Sequence, residues 1–270
     1  VADGSNTGTF TVSVIDDVVL EASETVIAQI SNASLGAVSI GTASATATIA
    51  DNDTASASLS VTTHGVEGGT DIVFTVTLTK TNETGSAITF DLTDLGTGSA
   101  TSGSDYPTLP PGAQISIAHG SSTGTFTVSV TDDAVVEGEE TLTAQISNAS
   151  NGAVSIATAT ATASITDNDS ALATIAATTA SAPEGGSAGQ FTVTLSSPSS
   201  TDTVVHYTVS GSATSGDDFV ALDGSVTIAA GLTSATIEVT AVDDSRLEST
   251  ESVTVTLTGI SGDADINVSG

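Results

Sequence analysis

The sequence contains no cysteine, methionine or tryptophan, and Lys80 and Arg246 are its only fixed positive side chains. Each absence closes a class of function. Without cysteine there is no disulfide, no thiolate nucleophile and no cysteine-ligated zinc. Without a basic surface the phosphates of a nucleic acid go unneutralised, so no nucleic-acid partner is expected. No apolar run approaches the ~20 residues that span a bilayer, and no cationic amphipathic helix or signal-peptide pattern is present, so no membrane insertion is expected. No P-loop or dinucleotide fingerprint occurs. His64, His119 and His206 stand alone: the repeat positions that match His119 and His64 hold Asp3 and Ser181. Nothing selects a catalytic residue, and the chain is read as not an enzyme.

What the chain has in excess is acid. Its 32 Asp and Glu give a formal charge of −30 over 270 residues. Such charge suits a disordered chain, but 38% of the residues are apolar and they are patterned. Internal repetition sets the organisation. Residues 7–14 recur unchanged as 123–130, residues 28–34 as 144–150 and residues 51–53 as 167–169, all at an offset of 116. A third copy follows: residues 184–186 repeat 67–69, residues 212–219 resemble 99–106, and Asp243 and Asp244 repeat Asp132 and Asp133. Three units result. Residues 1–53 are the C-terminal half of one, 54–169 are a complete one, and 170–270 lack a last strand. Units cut in this way are expected of an excerpt from a longer array. A period near 116 is the size of a whole domain.

Within the units the apolar period is two. Ile72, Phe74, Val76 and Leu78 alternate with Val73, Thr75 and Thr77, and the residues around Phe126, Ile88 and Leu142 do the same. This pattern marks half-buried strands, and Thr and Val suit strands. Gly-, Ser- and Asp-rich stretches between them read as turns. About seven such segments per unit make a small Ig-like β-sandwich, so the fold class is all-β. With 3% aromatic residues, Phe10, Phe126, Phe191 and Tyr207 are expected to fill cores. Asn32-Ala-Ser34 and Asn148-Ala-Ser150 read as turns or weak glycosylation acceptors.

The acids recur with the repeats. The middle unit holds Glu67; Asp105; Asp132, Asp133, Glu137 and Glu140; and Asp167 and Asp169. The first repeats Asp16, Asp17, Glu21, Glu24, Asp51 and Asp53, and the third repeats Glu184, Asp218, Asp243, Asp244, Glu248 and Glu251. Twenty of the 32 acids thus lie in recurring clusters, between strand patterns or at unit boundaries. Two like charges 4 Å apart repel by ~4 kcal/mol at an effective dielectric of 20. With no Lys or Arg expected nearby, a cation must neutralise them. Oxygen donors without His or Cys suit a hard ion, and flexible acidic loops suit Ca²⁺.

Glu67-Gly-Gly, residues 102–106, residues 132–140 and Asp167-Asn-Asp169 resemble the signature of Calx-beta domains. The Asp-Asp-x3-Glu-x2-Glu spacing, present three times, is the most specific part. The resemblance covers nearly the whole chain. It implies tandem seven-stranded antiparallel sandwiches with Ca²⁺ held by loops at one end and by the C-terminal acids. The eight middle-unit acids above are its implied ligands. Asn168 stands where an aspartate is common, which implies fewer ions or weaker binding. The expected function is a calcium-stiffened extender or stalk of a large extracellular, adhesin-like surface protein. Its partners are the neighbouring modules of the same chain and, in a fibre, other copies. The rival readings are a self-assembling filament in which one chain completes another's sandwich, and a calcium sensor.

Overall fold

In the middle unit the alternating segments become strands that bury alternate residues. Ile72, Phe74, Val76 and Leu78 of the strand Ile72–Leu78 are buried, as are Ile88, Phe90 and Leu92 of Ile88–Asp94. Successive side chains of a strand point to opposite faces, so these residues line one face of each sheet. The structure, a computed structural model, describes residues 1–269. Among the described residues no helix is long and apolar enough to cross a membrane.

The middle unit packs a four-stranded sheet, ordered Thr123–Val128, Ile72–Leu78, Ala55–Thr63 and Val154–Thr158, on a five-stranded one. The second sheet is ordered Gly65–Val66, Thr160–Thr166, Glu140–Ser147, Ile88–Asp94 and Gln114–Ile117. The chain makes seven passes, because the first and last each break and continue in the opposite sheet, at His64 and Ala159. Neighbours run antiparallel except where these two passes meet, with Ala55 beside Val154 and Gly65 beside Ile165 in parallel. Gly65 permits the first crossing: a Cβ there would lie 2.7 Å from Val130 Cγ2 and 3.1 Å from Ile72 Cγ1. The core between the sheets includes Phe74, Phe90, Tyr106, Ile115 and Leu142. The Tyr106 hydroxyl donates to Asp94 Oδ2 at 2.6 Å, which gives a buried phenol its partner.

The third unit packs Ser234–Val239, Gly189–Leu195, Ala171–Thr179 and Ile266–Val268 on Ser225–Ile228, Thr203–Gly211 and Val253–Ser261. Among the described residues no strand corresponds to Thr160–Thr166. A cavity of about 700 Å³ is walled by Phe191, Phe219, Val239 and Val253. Residues 180–184, Thr250, Glu251 and Val253 border it, and their counterparts bracket Thr160–Thr166 in the middle unit.

The first unit departs from its alternation. Residues 7–14 form no strand, and Phe10, expected in a core, is 69% exposed. The cause is pairing: the identical segment in the middle unit is held by Ile72–Leu78, and residues 1–53 contain no counterpart of that strand. Within residues 1–53 the only strands that pair with each other are the hairpin Glu24–Gln29 and Ser44–Ile49. Phe126 and Phe191 pack half-buried against their cores, and Tyr207 is buried. Asn32 and Asn148 adopt φ of 54° and 51°, so both Asn-Ala-Ser triplets sit in left-handed turns.

Neighbouring units are joined by an apolar plug. Leu20, in the acidic loop of the first unit, is 0% exposed and belongs to the middle core. Leu20–Glu21 pairs in parallel with Asn82–Glu83. Val136, at the matching position, is also 0% exposed and belongs to the third core. Its N–H donates to Pro198 O at 2.9 Å, and its carbonyl accepts from Ser200 N–H at 3.0 Å. Asx turns, a local bond that aspartate favours, present both plugs. Val19 N–H donates to Asp17 Oδ1 at 2.9 Å and Val135 N–H to Asp133 Oδ1 at 2.7 Å. Burying one Val or Leu side chain contributes ~1.5–3 kcal/mol.

Candidate metal centre

Six of the eight middle-unit carboxylates gather into two triads. Glu67, Asp167 and Asp169 each present an oxygen within 4.8 Å of the others, and so do Asp105, Glu137 and Glu140. Glu67 follows the short strand Gly65–Val66 and opens a tight turn in which Gly69 N–H donates to Val66 O at 3.0 Å. Gly68 there has φ of 57°, and a Cβ on it would lie 2.6 Å from Asn168 Nδ2 and 2.9 Å from Asp132 Oδ1. Only glycine lets these three loops close on one point. Asp105 folds back on its own loop, accepting Thr101 N–H through Oδ2, while its carbonyl accepts Thr131 N–H at 2.8 Å. Glu140 heads its strand and Asp167 follows the antiparallel neighbour, so the two meet at one end of the sheet. Asp167 accepts Glu137 N–H at 2.7 Å and Asp169 N–H at 2.9 Å.

Asp132 and Asp133 lie outside the triads. Asp132 Oδ1 accepts from Asn168 Nδ2 at 3.2 Å, and Asp133 holds the plug's Asx turn. Asn168 also donates to the Glu67 carbonyl at 2.8 Å. Its amide ties two loops together, a role an aspartate could not fill because a carboxylate has no donor.

Burial, then the charges of Asp167 and Asp133, pushes the Glu67 carboxyl up to about 7. Burial, then a hydrogen bond with Asp105, raises Glu140. Burial first also raises Glu137, aided by Asp105, and Asp169, aided by Asp167. Losing water and facing like charges both disfavour the ionised form. Glu67 Oε2, Glu140 Oε2 and Asp169 Oδ2 are buried without a hydrogen-bond partner. Such oxygens cost stability unless satisfied, and an all-oxygen set suits a hard cation. These residues therefore fit a metal ion.

The partial units carry parts of the same scaffold. In the first, Asn52 donates to Asp16 at 3.2 Å, and Asp51 accepts Glu21 N–H at 2.9 Å and Asp53 N–H at 3.0 Å. These bonds hold Asp51 below the usual carboxylate range. With Asp17 and Glu24 these residues line a cavity of about 330 Å³. Counterparts of Glu67 and Asp105 are absent from residues 1–53. In the third, Glu184, Asp218, Glu248 and Glu251 rim the open cavity. The Thr214 N–H, then the Glu251 side chain, holds Asp218 low. Asp244 caps Arg246 N–H at 2.6 Å, and Asp243 lies against Gly185.

The expectation that no protein cation reaches the acid clusters is corrected at both flanks. Lys80 Nζ pairs with Asp53 Oδ1 at 2.5 Å, because the loop that receives Leu20 also carries Lys80. Arg246 lies near Asp218 and Glu248. Among the described residues, both triads are in the middle unit.

The family model of the Calx-beta domain matches residues 2–53, 51–169 and 167–268. Among solved structures, CBD12 from CALX1.2 is similar at 20% identity over 78% of this chain and 82% of that one, with a TM-score of 0.35. The apo-form Calx CBD1 domain is similar at 22% identity over 43% of this chain and 100% of that one, with a TM-score of 0.35. Escherichia coli alpha-2-macroglobulin activated by porcine elastase is similar at 12% identity over 75% of this chain and 20% of that one, with a TM-score of 0.25. The comparison with curated proteins finds no match.

Proposed function

The chain belongs to the Calx-beta domain family, and from that premise we propose that it is a calcium-binding structural repeat region, an extender or stalk within a large extracellular, adhesin-like surface protein. The observation that carries this reading is the pair of carboxylate triads whose buried oxygens lack partners. Ca²⁺ accepts 6–8 oxygens in flexible geometry, which loop carboxylates supply more readily than the strict octahedron of Mg²⁺. Glu67, Asp167 and Asp169 would hold one ion, and Asp105, Glu137 and Glu140 another, with Asp132 and Asp133 at their edge. Bound Ca²⁺ supplies the positive charge that no side chain provides there.

The chain's own part is placement. Asp167 and Asp169 end one sandwich and Ala171 begins the next, while Val136, between Asp133 and Glu137, plugs the following core. Ligands and joint share one loop, so ordering the ligands orders the joint. The role is mechanical rather than catalytic, and a location outside the cell supplies the millimolar calcium that weak sites need. Thermal melts in EDTA and in millimolar Ca²⁺ test the reading. The melting temperature should rise with calcium, and identical melts would sink it.

One observation favours a second reading, a filament in which another chain's strand completes the third sandwich. The 700 Å³ cavity with apolar walls is open to such a strand. A monomeric mass in solution would exclude it. A sensor would bind calcium at micromolar concentration with a change of shape, and a calcium titration separates it from a structural role.

A further inference from the structure

Leu247 occupies the position of Leu20 and Val136 in the third acidic loop. Asp244 Oδ1 accepts Arg246 N–H at 2.6 Å there, the same Asx turn that presents the other two plugs. Yet Leu247 is 102% exposed, whereas Leu20 and Val136 are 0% exposed. The two docked plugs enter equivalent places. Each pairs in parallel with one receiving residue, Asn82 or Ser199, which is itself buried and begins the turn after a strand of the next sandwich. Plug and receiver are thus a matched pair used twice in one chain.

We propose that Leu247 is a third such plug, and that its occupant is the corresponding corner of a further sandwich of this same kind. That corner offers an apolar core end and a backbone segment free to make the parallel bridge. No such corner is vacant within residues 1–269, since those of the middle and third units already hold Leu20 and Val136. The occupant is therefore a module outside these residues. The inference rests on the tandem architecture and not on calcium.

The absence of cysteine makes the test direct. Leu20→Cys, Val136→Cys and Leu247→Cys are each introduced into the full chain and reacted with a maleimide. Leu247→Cys should react at least about tenfold faster than the other two, because a buried site labels only through local opening. Two extended chains then carry Leu247→Cys. In one, a copy of residues 159–270 follows residue 270, which supplies the last strand and a further sandwich in register. In the other, residues 159–169 and then 54–169 follow. Protection of Leu247→Cys to the level of Val136→Cys in either chain supports the proposal, and full reactivity in both overturns it. Labelling is read in EDTA and in calcium. A melt insensitive to calcium with Leu247→Cys protected would leave this inference standing while the calcium reading falls.

Discussion

Residues 7–14 and 123–130 have one sequence and two structures. In the middle unit most of the segment is the strand Thr123–Val128, with Phe126 packed against the core. In the first unit it forms no strand, and Phe10 is exposed. The Thr-Phe-Thr-Val alternation is identical, so alternation is not what makes the strand. A helix closes its own hydrogen bonds, whereas a strand borrows them from a neighbour. Ile72–Leu78 is that neighbour, and the first 53 residues hold no copy of it. The acid clusters repeat the lesson. Asp51 and Asp53 keep the local bonds of Asp167 and Asp169, but without counterparts of Glu67 and Asp105 they form no triad.

The strongest way to press the comparison is to truncate the large residue in each context. Phe74→Ala should cost the middle sandwich ~3–5 kcal/mol, since Phe74 is fully buried. Phe10→Ala should change stability by no more than about 0.5 kcal/mol. Urea denaturation measures both, and a large effect at Phe10 would mean that residues 1–53 fold in solution. Calcium comes next. At 100 times its dissociation constant it should stabilise the middle sandwich by ~2.7 kcal/mol. Asp167→Ala should weaken binding by at least about tenfold, and Asp51→Ala should leave that site unchanged in a calorimetric titration.

Acidity sharpens the same contrast. Glu67 titrates from 4.5 in the unfolded chain to about 7 in the cation-free fold. Between those values the native state binds more protons than the unfolded one, so stability falls as pH rises through that window. The middle sandwich in EDTA should melt lower at pH 8 than at pH 5. Saturating calcium should remove that trend, because the ligands it needs are deprotonated. Asp51, held low by backbone N–H groups, acts in the opposite sense and only at more acid pH. A further small effect belongs to the flank. Lys80→Ala should cost only ~0.2–1 kcal/mol, because the pair with Asp53 is partly exposed; chemical denaturation with added salt checks it.

Much of this was legible in the residues. Alternation located the strands of the middle unit, and fixed offsets located the acids that meet at one end of it. Three features were not legible. The breaks at His64 and Ala159, which pass the first and last strands between sheets, carry no periodic signal of their own. Lys80 reaches the acids of the first unit only through tertiary folding. The plugs were missed because one apolar residue in an acidic loop has no pattern, although Leu20, Val136 and Leu247 recur in register and could have been found by aligning the copies.

The linker at the second joint has a consequence for an array under load. A single residue, Ser170, separates Asp169 from the strand Ala171–Thr179. One residue spans at most ~3.6 Å, so withdrawing Val136 from its seat releases almost no slack. A pulled chain of such units gains direction rather than length: each joint that opens becomes a pivot, and each that closes becomes a fixed elbow. Reach is then set by how many elbows are locked at once.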